Sequence, residues 1–149
     1  MIDGSGKFLP ESMRGLPTPL VAFCRFSGLS ALFPHSRLLN RYYLGHLDPR
    51  QDQQVEVLCG AFMMVRREAI ETVGLLDESY FMYGEDIDWS YRITKAGYHL
   101  DYLASTSIIH YKGESMRKGS LKYIRIFYQA MVIFANKHFG KQAYWYTWL

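Results

Sequence analysis

Three carboxylates, Glu85, Asp86 and Asp88, fall within four positions of the stretch Tyr80 to Gly97, YFMYGEDIDWSYRITKAG. Ionised groups this close repel one another, so any fold that gathers them must compensate with solvent, a helix terminus, a cation or chemistry. Just downstream, Trp89, Ile93 and Ala96 recur at i, i+4 and i+7, with Ile87 and Tyr91 as a neighbouring stripe. That periodicity predicts an amphipathic helix starting at Glu85 or Asp86 and stopping at Gly97. The acids then sit at its N-terminus, where the macrodipole favours negative charge by about 0.3–1 kcal/mol each. Capping and solvation are sufficient to explain them physically. The same field also keeps a carboxylate ionised in a half-buried cleft, the state in which it accepts a proton from a hydroxyl. Asp88 and Arg92 form an i, i+4 pair good for about 0.2–0.5 kcal/mol.

The rest of the chain supplies one domain's worth of sequence around this helix. With 149 residues, 49% hydrophobic and 16% aromatic, it is too apolar for a disordered tail. Val55 to Arg66, VEVLCGAFMMVR, is the best strand pattern, continuously apolar from Val57 to Val65. That predicts an interior strand covered on both faces, as in an α/β sheet. Gly60 within it marks a bulge or a group approaching the backbone closely. Arg67 to Val73 reads as a short helix stopped by Gly74. Tyr98 to Leu103 and Ser105 to Tyr111 alternate like strands, and Lys112 to Gly119 is a basic loop. Ser120 to Phe139 is a long amphipathic helix with Gly140 as its stop, followed by the aromatic tail KQAYWYTWL, interfacial in character. Upstream, Met1 to Pro19 is turn-rich, with a tight turn at Asp3-Gly4-Ser5-Gly6. Leu20 to Phe33 is apolar with an interruption at Ser27-Gly28, Ser36 to Leu44 reads as a short helix carrying Arg37 and Arg41, and Gly45 to Gln54 is a polar connection in which His46 and Asp48 are solvated.

Charge narrows the partners little. Seventeen basic and fourteen acidic residues give +3, spread without like-charge blocks, which permits anionic partners but selects none; no nucleic-acid partner is assigned. Cys24 and Cys59, with no Cys-x-x-Cys spacing, read as small buried hydrophobes of a reducing compartment. With no signal-like N-terminus and no charge-free apolar run of about 18 residues, the expected setting is cytoplasmic, soluble or peripheral at the inner face of the cell membrane.

Read position by position, the run LCGAFMMVRREAIETVGLLDESYFMYGEDIDWSYRITKAGYHLDYLASTSIIHYKGES resembles the second half of a family 2 glycosyltransferase of GT-A fold, the rhamnosyltransferase-like group in particular. The resemblance is carried by the Gly-Ala strand ending in Arg66-Arg67, the Gly74…Leu76-Asp77-Glu78 turn, Phe81-Met82-Tyr83-Gly84-Glu85-Asp86-x-Asp88, Arg92…Gly97-Tyr98 and His110…Gly113…Ser115. Earlier pieces, DGSGKFLPES and RGLPTP, are similar to the segment that precedes this half. The resemblance implies a partial GT-A fold, a mixed sheet with flanking helices and a C-terminal amphipathic helix, with residues 1–118 as the acceptor-side half and 119–149 as a membrane-associated helix and tail. It implies that Asp86 is the general base that deprotonates an acceptor hydroxyl as it attacks a nucleotide-sugar. Glu85, Asp88, Trp89 and Gly60 would support the acceptor or the helix start. His110 would help hold a divalent cation, Mn²⁺ or Mg²⁺, on the donor diphosphate, with Lys112, Ser115 and Arg117 as phosphate contacts.

The implied partners are a nucleotide-sugar donor, a glycan or lipid-linked acceptor and a membrane surface. The family's first half, a βαβ nucleotide-binding unit ending in an Asp-x-Asp metal motif, has no counterpart here; Asp86-Ile87-Asp88 spells Asp-x-Asp but matches the base motif. Two expectations follow: the acceptor-side part of an inverting glycosyltransferase, or a non-catalytic module that binds an acceptor glycan or protein partner.

Overall fold

The computed structural model describes residues 1–111 and 121–140. The expected tight turn opens the chain, with Asp3 Oδ1 accepting from the Ser5 and Lys7 amides at 2.9 and 3.0 Å. A 3-10 turn at Pro10–Ser12 leads into β1 (Met13–Arg14). The apolar stretch beyond it forms α1 (Pro19–Phe26) and α2 (Leu29–Leu32), broken at Ser27-Gly28 as the sequence indicates. Pro19 at the first helical position suits α1, because its missing N–H is one that a helix start leaves unbonded anyway.

Residues 36–47 are a succession of turns instead of the expected short helix. Leu44 adopts a left-handed φ of 49°, and the chain folds back so tightly that a Cβ on Gly45 would lie 2.0 Å from the Pro34 carbonyl oxygen. This reversal delivers Leu44, 7% exposed, into the core.

The strands are short. β2 (Gln53–Gln54) pairs with β4 (Asp101–Tyr102), and β3 (Val57–Leu58) pairs with β1, both ladders antiparallel. Among the described residues no mixed sheet forms; the one parallel contact is the isolated bridge between Ile2 and Ile109, all that remains of the strand expected over Ser105 to Tyr111. The long interior strand expected over Val55 to Arg66 is likewise cut to two residues. The chain turns after Leu58, Phe62 and Met64 reach solvent at 53% and 92% exposure, and only Val57 is fully covered. The cause is a partner distant in sequence: the Gly60 N–H leaves the ladder direction to bond a side chain on another element, described below.

The helices match the periodicities. α3 (Arg67–Val73) ends at Gly74 with φ 78°, α4 (Glu85–Lys95) is followed by Gly97 at φ 91°, and α5 (Leu121–Phe139) by Gly140 at φ 52°. The two apolar stripes of α4 enter two different clusters. Ile93 and Trp89 pack with Met13, Leu44, Val55 and Leu100, whereas Ile87 and Tyr91 pack with Val57, Tyr80 and, from α5, Ala130 and Phe134. α4 thus lies between the turns and strands on one side and α5 on the other, which fixes the direction of its first turn. Both cysteines are free thiols; Cys24 is buried and Cys59 half-buried.

Candidate functional site

The first turn of α4 is aimed by two consecutive residues in the left-handed region, Tyr83 at φ 64° and Gly84 at φ 106°. A non-glycine residue there costs about 1–2 kcal/mol. Tyr83 is held in that conformation by ring contacts with Tyr123 and Phe127 of α5. Gly84 is required: a Cβ would lie 3.2 Å from both the Ala130 Cβ and the Tyr80 ring. No side chain caps the helix, so the acids at its start are not spent on capping.

Each acid has a different environment. Asp86 is 8% exposed, and its Oδ2 accepts two bonds, from Arg14 Nη2 at 2.5 Å and from the Gly60 amide at 3.0 Å. Among the described residues its other oxygen, Oδ1, has no hydrogen-bond partner. Arg14 is itself buried and lies beside Tyr42. Burial alone would weaken its hold on the proton, but Asp86 and Tyr42 more than offset this and push its pKa above the ordinary value, so the guanidinium stays charged. The sequence anticipates a close approach at Gly60, and the approaching group is Asp86, whose Cβ is 3.1 Å from where a Cβ on Gly60 would sit.

Asp88 is fully buried and points away from Asp86 into the α4–α5 contact. It accepts from Arg92 Nε at 2.8 Å and Lys137 Nζ at 2.9 Å, its Oδ1 lies 2.6 Å from His138 Nε2, and the Tyr80 hydroxyl approaches at 3.5 Å. Arg92 goes on to donate to the carbonyls of Val73 and Leu75, tying α4 to the end of α3. Burial works to raise the Asp88 pKa, but the bonds from Lys137, His138 and Arg92 outweigh it and hold the carboxyl below its ordinary value. Glu85 has the opposite balance. Its Oε2 is buried without a partner, and burial pushes its pKa up.

Trp89 donates its indole N–H to the Gly74 carbonyl at 2.9 Å and packs in the cluster around Ile93, so it supports the helix from the α3 side. His110 is half-buried, with its backbone amide bonded to Ile2. Among the described residues no three His, Cys, Asp or Glu side chains converge as a metal site would require. His110 brings one donor. Lys112, Ser115 and Arg117 lie outside the described residues.

Arg14 is the member of this arrangement that the sequence pattern does not single out. It stands in the RGLPTP piece, yet its partner is 72 positions away, and no local spacing announces such a pair. What the arrangement can do is fix one carboxylate by one oxygen, leaving the other to accept a proton.

Comparison with known proteins places the chain beside one kind of enzyme: it is rhamnosyltransferase-like. It is 32% identical over 139 residues to the N-acetylglucosaminyl-diphospho-decaprenol L-rhamnosyltransferase of two Mycobacterium tuberculosis strains, covering 93% of this chain and 44% of theirs. It is 38% identical over 74 residues to rhamnosyltransferase WbbL of Escherichia coli K12, covering 50% of this chain and 28% of that one. The chain therefore spans under half the length of these relatives. No family model matches. No solved structure matches.

Proposed function

We propose that the chain is the acceptor-side part of an inverting glycosyltransferase of GT-A fold, family 2, with Asp86 as general base. The observation that carries this reading is the asymmetric hold on Asp86: two donors on Oδ2, at 2.5 and 3.0 Å, and none among the described residues on Oδ1. An alcohol is a poor nucleophile. As its oxygen bonds to the anomeric carbon of the donor, Asp86 Oδ1 takes its proton, the bond to the diphosphate breaks with its electron pair, and the configuration inverts in one displacement. Arg14 keeps the base in position.

The relatives' names make an L-rhamnosyl nucleotide the first donor to test and a lipid-linked N-acetylglucosaminyl diphosphate the first acceptor. The protein, expressed from its complete coding sequence, is expected to transfer rhamnose, and Asp86→Asn to abolish transfer while nucleotide binding persists. Unchanged turnover in that variant would remove the base assignment. His110 would supply one ligand to a divalent cation, Mn²⁺ or Mg²⁺, whose chemistry is to neutralise charge on the leaving diphosphate; its other ligands would come from outside the described residues. No step above depends on it.

The acceptor in this reading sits at the cytoplasmic face of a membrane, and the chain meets that surface. Leu20, Phe23 and Phe26 on α1 and Leu121 and Tyr128 on α5 are exposed, joined by the Phe26–Tyr128 stack at 5.8 Å and bordered by Lys122 and Arg125. Among the described residues no helix is long and apolar enough to cross a membrane. Co-sedimentation with anionic vesicles tests this placement. The alternative reading is a non-catalytic module that binds an acceptor glycan or protein partner. It predicts acceptor binding with no turnover.

A further inference from the structure

A cleft of about 410 Å³, a size typical of small-ligand sites, is lined by Arg37, Arg41, Leu44, His46, Gln54 and Glu56. It is built from the turns at 36–47 and the segment around β2, and it does not use the Arg14–Asp86–Gly60 arrangement. Its charges do not cancel. Arg41 is matched by Glu56 at 2.7 Å, and the second oxygen of Glu56 is taken by the Leu16 amide at 2.9 Å. Arg37 has no ion pair or hydrogen bond among the described residues. His46, expected to be solvated, is half-buried, and its Nδ1 is buried without a partner. Burial, then Arg37 and Arg41, push its pKa below the ordinary 6.5.

An unmatched guanidinium and a half-buried imidazole lining one concavity form half of a recognition pattern. What completes it is a compact anion with several acceptor oxygens: the guanidinium fork takes two, and the imidazole, once protonated, donates to another. Adjacent residues connect this cleft to the base. Arg41 lines it, while the next residue, Tyr42, lies beside Arg14, which holds Asp86. We propose that the cleft binds a phosphate-bearing group and, resting on the glycosyltransferase reading, that the group is the diphosphate of a lipid-linked acceptor whose sugar extends past Tyr42 toward Asp86.

The charged groups facing His46 are Arg37 and Arg41 from the turns and Glu56 from the segment after β2. A bound anion opposes the two guanidinium fields and favours protonation of the ring. Binding therefore takes up a proton, and affinity rises as pH falls.

Calorimetric titration of the protein with inorganic pyrophosphate, below and above pH 6.5 and in buffers of different ionisation enthalpy, tests the site. Saturable binding is expected, tighter at the lower pH and with net proton uptake. Arg37→Gln and His46→Gln should each weaken it about tenfold or more, as loss of a charge-assisted hydrogen bond does. Arg67→Gln, on the exposed side of α3, should leave it unchanged. Absence of saturable binding, or an equal loss in Arg67→Gln, overturns the site. Phosphatidylcholine vesicles with and without a polyprenyl diphosphate separate the sources. Capture by the diphosphate-bearing vesicles alone, competed by pyrophosphate and lost in Arg37→Gln, supports the lipid-linked acceptor. Pyrophosphate binding without vesicle capture overturns that assignment in favour of a soluble diphosphate. None of these measurements involves a donor or turnover, so failure of sugar transfer and failure of the cleft are separate results.

Discussion

The Arg14 guanidinium on β1 donates to Asp86 Oδ2 on α4 at 2.5 Å across 72 positions of sequence, with both side chains only 11% exposed. A buried pair of this kind is a poor source of net stability but a strong constraint, because removing one partner strands the other charge. Arg14→Met and Asp86→Asn should each cost about 3–5 kcal/mol, and the double variant should lose less than their sum by at least about 1 kcal/mol. Urea unfolding of the three variants at neutral pH completes the cycle. Additive losses would mean that the two groups act independently.

Gly60 holds Asp86 from the other side. Its amide reaches Oδ2 at 3.0 Å, and an added Cβ would stand 3.1 Å from the Asp86 Cβ, so Gly60→Ala forces the carboxylate to give by a few tenths of an ångström. The stability loss should be about 1 kcal/mol, that of one strained hydrogen bond. Because proton transfer is sensitive to such displacement, kcat should fall about tenfold or more with the donor KM unchanged. A normal kcat would show that Gly60 does not set the position of Asp86.

Helices α3, α4 and α5 were legible because their signals are local, whereas the helix expected over Ser36 to Leu44 gives way to turns. Apolar residues at i, i+3 and i+4 and a terminal glycine are set by neighbours a turn away, and Gly74, Gly97 and Gly140 all fall where the periodicities end. The sheet was not legible for the converse reason. The run from Val57 to Val65 has the composition of a covered strand, but a carboxylate 26 positions on takes the Gly60 amide, and the chain turns there. The sequence marks Gly60 as a close approach without naming the visitor. Asp88 shows the same division: Arg92 at i+4 is visible, whereas Lys137 and His138 arrive from α5 about fifty positions later. The three crowded acids are thus compensated one at a time, Asp86 by Arg14, Asp88 by Arg92 and α5, and Glu85 only in part, because its own backbone amide and Arg14 fall short of offsetting burial.

Glu85 is accordingly a site of latent instability. Burial raises its pKa above the ordinary 4.5, so the folded state holds the proton more tightly than the unfolded one. Its contribution is fully present below pH 4.5 and is lost as pH rises through the raised value. Glu85→Gln removes this titration while keeping the shape. The variant should melt at a higher temperature than the parent at neutral pH and lose that advantage in acid. A lower melting temperature at neutral pH would indicate that the ionised carboxylate has a stabilising partner.

Asp88 has the opposite sign. Its pKa lies below the ordinary 3.8, because the bonds from Lys137, His138 and Arg92 outweigh burial. The stability it confers is therefore present above pH 3.8 and is lost as pH falls through the lowered value. At neutral pH, Asp88→Asn leaves Arg92 and Lys137 facing an amide inside the α4–α5 contact, at a cost of about 3–5 kcal/mol. Lys137 keeps its second partner, Asp77 at 2.6 Å, so the loss should fall on the α4 side of the contact first. Melting temperatures of parent and variant should be far apart at neutral pH and converge in strong acid. Hydrogen exchange should show α5 amides around Ala130 and Phe134, which pack on Ile87, opening more often in the variant. Because Ala130 of α5 stands against Gly84 at the first turn of α4, the variant should also transfer sugar more slowly although Asp88 is buried in the α4–α5 contact. Parallel melting curves across the whole pH range would show that Asp88 is not the group coupling α5 to the site.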